Sequence, residues 1–221
     1  MLKKLAACVA VGLSLFAVSA KSPKVKLSGD NLKAASYKTI QAALDAIGSK
    51  EGNFTISLPK GTYEEVLYYN GPANITFSGA GKAQYGKDVV IALDNDGNIL
   101  RLTKASSAQK NRCLVEIEGT GNIVFENLTL KNTFERGSRE GSDTQAETLG
   151  YDGSGTVACY NCSFLSHQDT LRTTGKTWFY KCYIEGDTDF LWMEESGVAA
   201  LYEECELVSV FDAKNTSSHT T

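Results

Sequence analysis

Proline is scarce in this chain, at 3 of 221 residues, while glycine reaches 20 and hydrophobic residues 42%. That balance excludes a disordered, solvated chain and implies many turns inside an ordered structure with one substantial core. An excess of basic charge is missing too. Lys and Arg number 22 against 26 Asp and Glu, a net charge of -4, so there is no electrostatic footprint for a nucleic-acid partner. Helical periodicity is nearly absent. Only Ser36 to Ile47 (SYKTIQAALDAI) places Ile40, Ala43, Leu44 and Ile47 on one face, with Gly48 as its stop.

The one long apolar run lies at the N-terminus. Lys3 and Lys4 precede Leu5 to Val18, and Val18-Ser19-Ala20 suits a signal peptidase. Residues 1–20 are therefore expected to be an export signal, leaving 21–221 as a single secreted domain with no membrane attachment after cleavage. The run is short for a bilayer span. Leu5-Ala6-Ala7-Cys8 is a poor lipobox, since the apolar segment follows Cys8. Beyond the signal stand Cys113, Cys159, Cys162, Cys182 and Cys205. An exported protein permits disulfides, and an odd count leaves one thiol over. Cys159 and Cys162 form a C-x-x-C, but no second pair completes a zinc site. A strand would turn these two side chains to opposite faces.

The remainder repeats. Ile123–Leu130, Val157–Phe164, Trp178–Ile184 and Ala200–Leu207 share a pattern of apolar or aromatic residues, then a polar one, then Leu or Cys. Cys162 to Cys182 is 20 residues and Cys182 to Cys205 is 23. Strand-only repeats of this period predict an all-β solenoid, a right-handed parallel β-helix, with the helix at 36–47 capping its N-terminal end. Its coils stack about 4.8 Å apart, so residues one period apart lie above one another. A Cys162–Cys182 bridge between coils is expected on that spacing, with Cys205 a competitor for Cys182. The alternative is an unbridged ladder of small apolar side chains. No second cap is visible, and the polar tail Phe211–Thr221 follows a strand directly, so the chain is expected to be truncated at its C-terminus.

The same stacking brings acids together. Asp169 stands seven residues after Cys162, Asp189 seven after Cys182, and Gln145 24 before Asp169. The expected column is amide, carboxyl, carboxyl. Two adjacent carboxyls resist ionising together, so one becomes an acid and the other an anion able to act as a nucleophile. The amides of Gln145 and Gln168 can donate to an oxyanion. Such a site hydrolyses esters without a serine or histidine nucleophile. A solvated acidic ladder or a pair of turn residues would give the same spacing.

Gln168-Asp169-Thr170-Leu171 and Gly186-Asp187-Thr188-Asp189-Phe190-Leu191-Trp192 resemble the two signature blocks of the pectin methylesterase family. Gln145-Ala146, Tyr37–Ala43, Gly61–Glu65 and Ile75–Gly79 are similar to its other blocks, in the same order, so the resemblance covers about residues 36 to 210. It implies Asp189 as nucleophile, Asp169 as acid and then base, Gln145 and Gln168 as oxyanion donors, and Trp192 with Phe190 at the sugar-binding cleft. It implies methyl-esterified homogalacturonan (pectin) as substrate, no metal or organic cofactor, an extracellular or periplasmic location and a monomer. There are departures. The family's downstream arginine, which holds the nucleophile ionised, has no counterpart, since the arginines stop at Arg172. Arg172 occupies a position that is often aromatic in the family and is a candidate cation near Asp169. Two other readings stay open. One is a polygalacturonase-type glycosidase, which also clusters aspartates. The other is a non-catalytic carbohydrate-binding remnant.

Overall fold

The structure, a computed structural model, describes residues 22–194 and 198–210. The leader at 1–20 and the tail at 211–221 therefore lie outside the described residues. The chain opens with an antiparallel pair, β1 (Val25–Gly29) and β2 (Leu32–Tyr37), followed by α1 (Ile40–Ile47). The helix begins later than its periodicity suggests, because Ser36 and Tyr37 belong to β2. Thr39 is its N-cap, accepting from the Ala42 amide at 3.1 Å. Glu65 adds a second cap, its two carboxylate oxygens accepting from the Ile40 and Gln41 amides at 2.9 and 3.1 Å. A carboxylate at this end also complements the positive pole of the helix dipole. Ile40, Ala43, Leu44 and Ile47 are buried against the core, so α1 closes the first end of the solenoid as expected.

Five and a half coils follow, with three strands in each complete coil. The first is β3 (Asn53–Leu58), β4 (Gly61–Tyr63) and β5 (Leu67–Tyr69). The second is β6 (Asn74–Gly79), β7 (Val89–Leu93) and, after the short α2 (Ala108–Asn111), β8 (Val115–Ile117). The third is β9 (Ile123–Glu126), β10 (Thr129–Asn132) and β11 (Leu149–Tyr151). The fourth is β12 (Thr156–Tyr160), β13 (Ser163–Leu165) and β14 (Leu171–Thr173). The fifth is β15 (Lys176–Tyr180), β16 (Tyr183–Gly186) and β17 (Leu191–Met193), and β18 (Ala199–Glu203) and β19 (Glu206–Ser209) begin a sixth. Each complete coil adds one strand to each of three sheets, parallel throughout except for β1 and β2. This is the expected parallel β-helix. Among the described residues, β17, β18 and β19 are its C-terminal edges.

The core is a set of vertical columns. Ile56, Phe77, Phe125, Cys159, Phe179 and Tyr202 stand in register on successive coils. Phe77 stacks on Phe125 at 4.8 Å, and Phe179 on Tyr202 at 5.1 Å. Each such pair adds about 0.5–1.5 kcal/mol beyond burial alone. Each of the four repeats is two strands around a corner. Asn127, Asn161, Lys181 and Glu204 occupy that corner with φ of 55°, 52°, 54° and 51°. Asparagine tolerates this left-handed geometry well, and Asn161 donates to the Asn127 side chain at 2.8 Å.

The corner overturns two cysteine expectations. Cys159 and Cys162 flank it and are both buried in the core, rather than on opposite faces. The Cys162–Cys182 bridge is not formed: Cys113, Cys159, Cys162, Cys182 and Cys205 are all free thiols. The stacked thiols point back along the solenoid. Cys162 contacts the Phe125 carbonyl at 3.4 Å, Cys182 that of Cys159 at 3.5 Å and Cys205 that of Phe179 at 3.2 Å. They serve as small apolar rungs with weak donors.

Candidate active site

The second corner of the coil, between the sheet holding β10, β13 and β16 and the sheet holding β11, β14 and β17, gathers the expected site. Asp169 and Asp189 both have left-handed backbones, with φ of 61° and 47°. The Asp169 amide donates to the Thr188 carbonyl at 2.9 Å, and that of Leu171 to Phe190 at 3.0 Å. With Leu171 in register with Leu191, the two aspartates hold equivalent positions on consecutive coils. Asp169 is 1% exposed, whereas Asp189 is half-buried. Asp189 lines a pocket of about 390 Å³ together with Leu191, Trp192 and Met193.

The amides depart from the expected column by one residue. Gln145 pairs with Gln168 in a parallel bridge, not with Asp169. The slip arises just after it, where the Thr148 and Leu149 amides both donate to the Thr170 carbonyl. Amide therefore lies beside amide. Both carbonyl ends are occupied: Arg112 donates to Gln145 Oε1 at 2.5 Å, and Thr144 Oγ1 to Gln168 Oε1 at 2.6 Å. Arg112 has no acceptor capacity, so Gln145 must turn its oxygen toward it. The NH₂ groups are left as the donors of both side chains.

Arg112, which the sequence reading did not single out, is the cation beside the acid. Its NH2 lies 3.2 Å from Asp169 Oδ2, and its Nε donates to both oxygens of the fully buried Glu147, at 2.8 and 2.9 Å. Burial, with the Glu147, Asp189 and Asp143 charges, outweighs Arg112 and pushes the Asp169 carboxyl up to about 8. Asp169 is thus a neutral acid at neutral pH.

Arg172 is not the cation at the site. It is fully buried on the outer face of its sheet, contacting Glu116 and Asp152 at 2.8 Å and Glu194 at 3.0 Å. Glu116, Gly150 and Arg172 are in register on successive strands. A Cβ on Gly150 would lie 1.9 Å from Glu116 Oε2 and 2.7 Å from Arg172 NH2. Glycine therefore lets the pair meet across the intervening coil. Burial pushes Glu116 up to about 9 against the pull of Arg172. Ligand oxygens of Glu116, Glu118 and Asp152 lie within 4.8 Å of one another. Lys110 already stands 2.9 Å from Glu118 and 3.4 Å from Asp152, so with Arg172 the cluster carries its own counterions.

Phe190 is a further correction: it is 7% exposed and packs in the hydrophobic core, between Asp189 and Leu191, which line the pocket. Trp192 is half-buried and reaches the pocket at Asp189. His167 adjoins the site through Asp187, with Nδ1 3.2 Å from Asp187 Oδ2. The hydrogen bond and charge of Asp187 hold the imidazole above its usual range. Arg136 grips Asp187 from the 133–148 insertion, donating from NH2 to Oδ1 at 2.8 Å. Despite burial, the Arg136 and His167 contacts hold the Asp187 carboxyl well below the usual range. Arg112, Thr144, Glu147 and Arg136 all sit on the two long connections before β8 and β11. The alternation Gln145-Ala146-Glu147 was the one local signal, since it puts two polar side chains on the same side.

Comparison with known proteins places the chain in a family. The pectinesterase family profile matches residues 28–221. A probable pectinesterase A of Aspergillus niger is 31% identical over 175 residues, spanning 78% of this chain and 49% of the relative. A putative pectinesterase 14 of Arabidopsis thaliana is 30% identical over 190 residues, spanning 85% and 51%. Among solved structures, the pectin methylesterase PemA from Erwinia chrysanthemi superposes with a TM-score of 0.68 at 24% identity, covering 82% of this chain and 54% of that one. A pectin methylesterase in complex with a hexasaccharide gives 0.66 at 25% identity, with the same coverage. The chain spans about half the length of the relatives it matches.

Proposed function

Since the chain belongs to the pectinesterase family, we propose that it hydrolyses the methyl esters of homogalacturonan through Asp189. The observation that supports this most is the stacking of two aspartates at one left-handed corner, beside two amides whose oxygens are already engaged. The Asp189 carboxylate attacks the ester carbonyl. The oxyanion of the tetrahedral intermediate accepts from the NH₂ groups of Gln145 and Gln168. Asp169, neutral at the start, gives its proton to the departing methoxy oxygen, and methanol leaves an acyl–Asp189 anhydride. The Asp169 carboxylate then takes a proton from water, which cleaves the anhydride and restores both aspartates. Trp192 borders the pocket where a uronide ring would sit, and aromatic faces suit sugar rings.

On this reading no cofactor takes part. Residues 1–20 direct export, and the exported chain works as a monomer. No described helix is long and apolar enough to cross a membrane. The test is methanol release from esterified homogalacturonan, with reducing ends counted in parallel. Wild type is expected to release methanol without new reducing ends, and Asp189→Asn to lower kcat by about 10⁴-fold or more, as for loss of a nucleophile elsewhere. New reducing ends would point to a glycosidase. Methanol release undiminished in Asp189→Asn would reject the nucleophile.

A further inference from the structure

We propose that Arg112 is a positioning residue for ester hydrolysis, its guanidinium aiming the Gln145 amide and holding Asp169 while Glu147 holds the guanidinium in place. The inference rests on the function proposed above. Arg112 follows α2 on the long connection into β8 and is 7% exposed. Its donors divide among three acceptors on two coils. Nε and NH2 take Glu147, the latter at 2.7 Å from Oε1, NH1 takes Gln145 and NH2 also reaches Asp169. Gln145 and Glu147 are two residues apart in an extended segment and so share a face. One planar fork therefore reads both and reaches the acid on the next coil. A lysine ammonium has no such fork. Loss of the contact to Gln145 would free its amide to rotate, and an amide that presents oxygen to an oxyanion repels it.

The arrangement also sets the proton affinity of the acid. The charged groups facing Asp169 are Arg112, Glu147, Asp189 and Asp143. Arg112 alone among them favours the carboxylate; the other three favour the acid. Arg112 and Glu147 thus act on Asp169 in opposite directions.

The experiment compares wild type with Arg112→Gln, Arg112→Lys, Glu147→Gln and the double variant Arg112→Gln/Glu147→Gln. Methanol release is measured against pH, and the Asp169 carboxyl is titrated by ¹³C NMR. Arg112→Gln is expected to raise the Asp169 pKa and lower kcat by about 10²-fold, the loss typical of one oxyanion donor, with KM within about threefold. Arg112→Lys should return the titration toward wild type but leave kcat low. Glu147→Gln should move the titration down. In the double variant, which leaves no buried charge uncompensated, kcat should remain depressed while the titration stays near wild type. If Arg112→Gln does not fold, the double variant decides. Unchanged kcat there, or an Asp169 titration that ignores both single substitutions, overturns the proposal. Should wild type release no methanol, the functional reading fails, and the NMR titration still judges this one.

Discussion

Two buried ionic clusters lie on neighbouring parts of the same coils and share Glu147, which Arg112 contacts at 2.7 Å and Arg172 at 3.9 Å, but they differ in what they open onto. Around Arg172, the acids Glu116, Glu118, Asp152 and Glu194 meet two cations, Arg172 and Lys110, at 2.8 to 3.4 Å. Around Asp169, Arg112 is already committed to Glu147, and Asp169 receives only a 3.2 Å contact. The first arrangement closes a sheet face that Gly150 leaves bare. Both keep a proton on a buried acid, Glu116 up to about 9 and Asp169 up to about 8, but only the second sets a half-buried carboxyl, Asp189, at a pocket. Burial thus raises an acid in either cluster, with a cation at hand in both; what marks the reactive one is a second carboxyl open to a pocket beside it.

Arg172→Leu should cost about 3–5 kcal/mol in urea unfolding, because it strands buried carboxylates. A loss under 1 kcal/mol would mean the cluster is not a structural unit. Glu116→Gln sharpens the same point with the opposite sign. Its carboxyl binds a proton more firmly folded than unfolded, up to about 9, so wild type loses stability as pH rises from the ordinary carboxylate range toward 9. The amide variant lacks that loss. It should be more stable than wild type by about 1–3 kcal/mol at pH 8 and equal to it near pH 4. Destabilisation at pH 8 would show instead an ionised Glu116 paired with Arg172. The smallest effect concerns the thiols, which lie mostly at the first corner of the coil. With all five described cysteines free, reductant should leave Tm unchanged, whereas a hidden bridge would cost about 2–5 kcal/mol on reduction.

What was legible in the sequence followed from coil length. Coils four and five carry no insertion, so the 20-residue step from Cys162 to Cys182 carried over to Asp169 and Asp189. Coil three contains the 133–148 insertion and a one-residue slip at its second corner, and there the arithmetic put Gln145 beside Asp169 instead of Gln168. Strand-by-strand reading failed at the first corner because Lys181 and Glu204 fill left-handed positions that only Asn127 and Asn161 announce. Phe190 was carried to the cleft by the motif it belongs to, but the turn at Asp189 rotates it into the core. Arg112 and Arg136 had no local signal, since their partners Glu147 and Asp187 are 35 and 51 residues away.

Asp169 is expected to enter the reaction as a neutral acid. The direct measurement is kcat/KM for methanol release against pH, corrected for base-catalysed demethylation. The expected profile falls about tenfold per pH unit above roughly pH 8, where Asp169 loses its proton. A profile that stays level or climbs through pH 10 would contradict it.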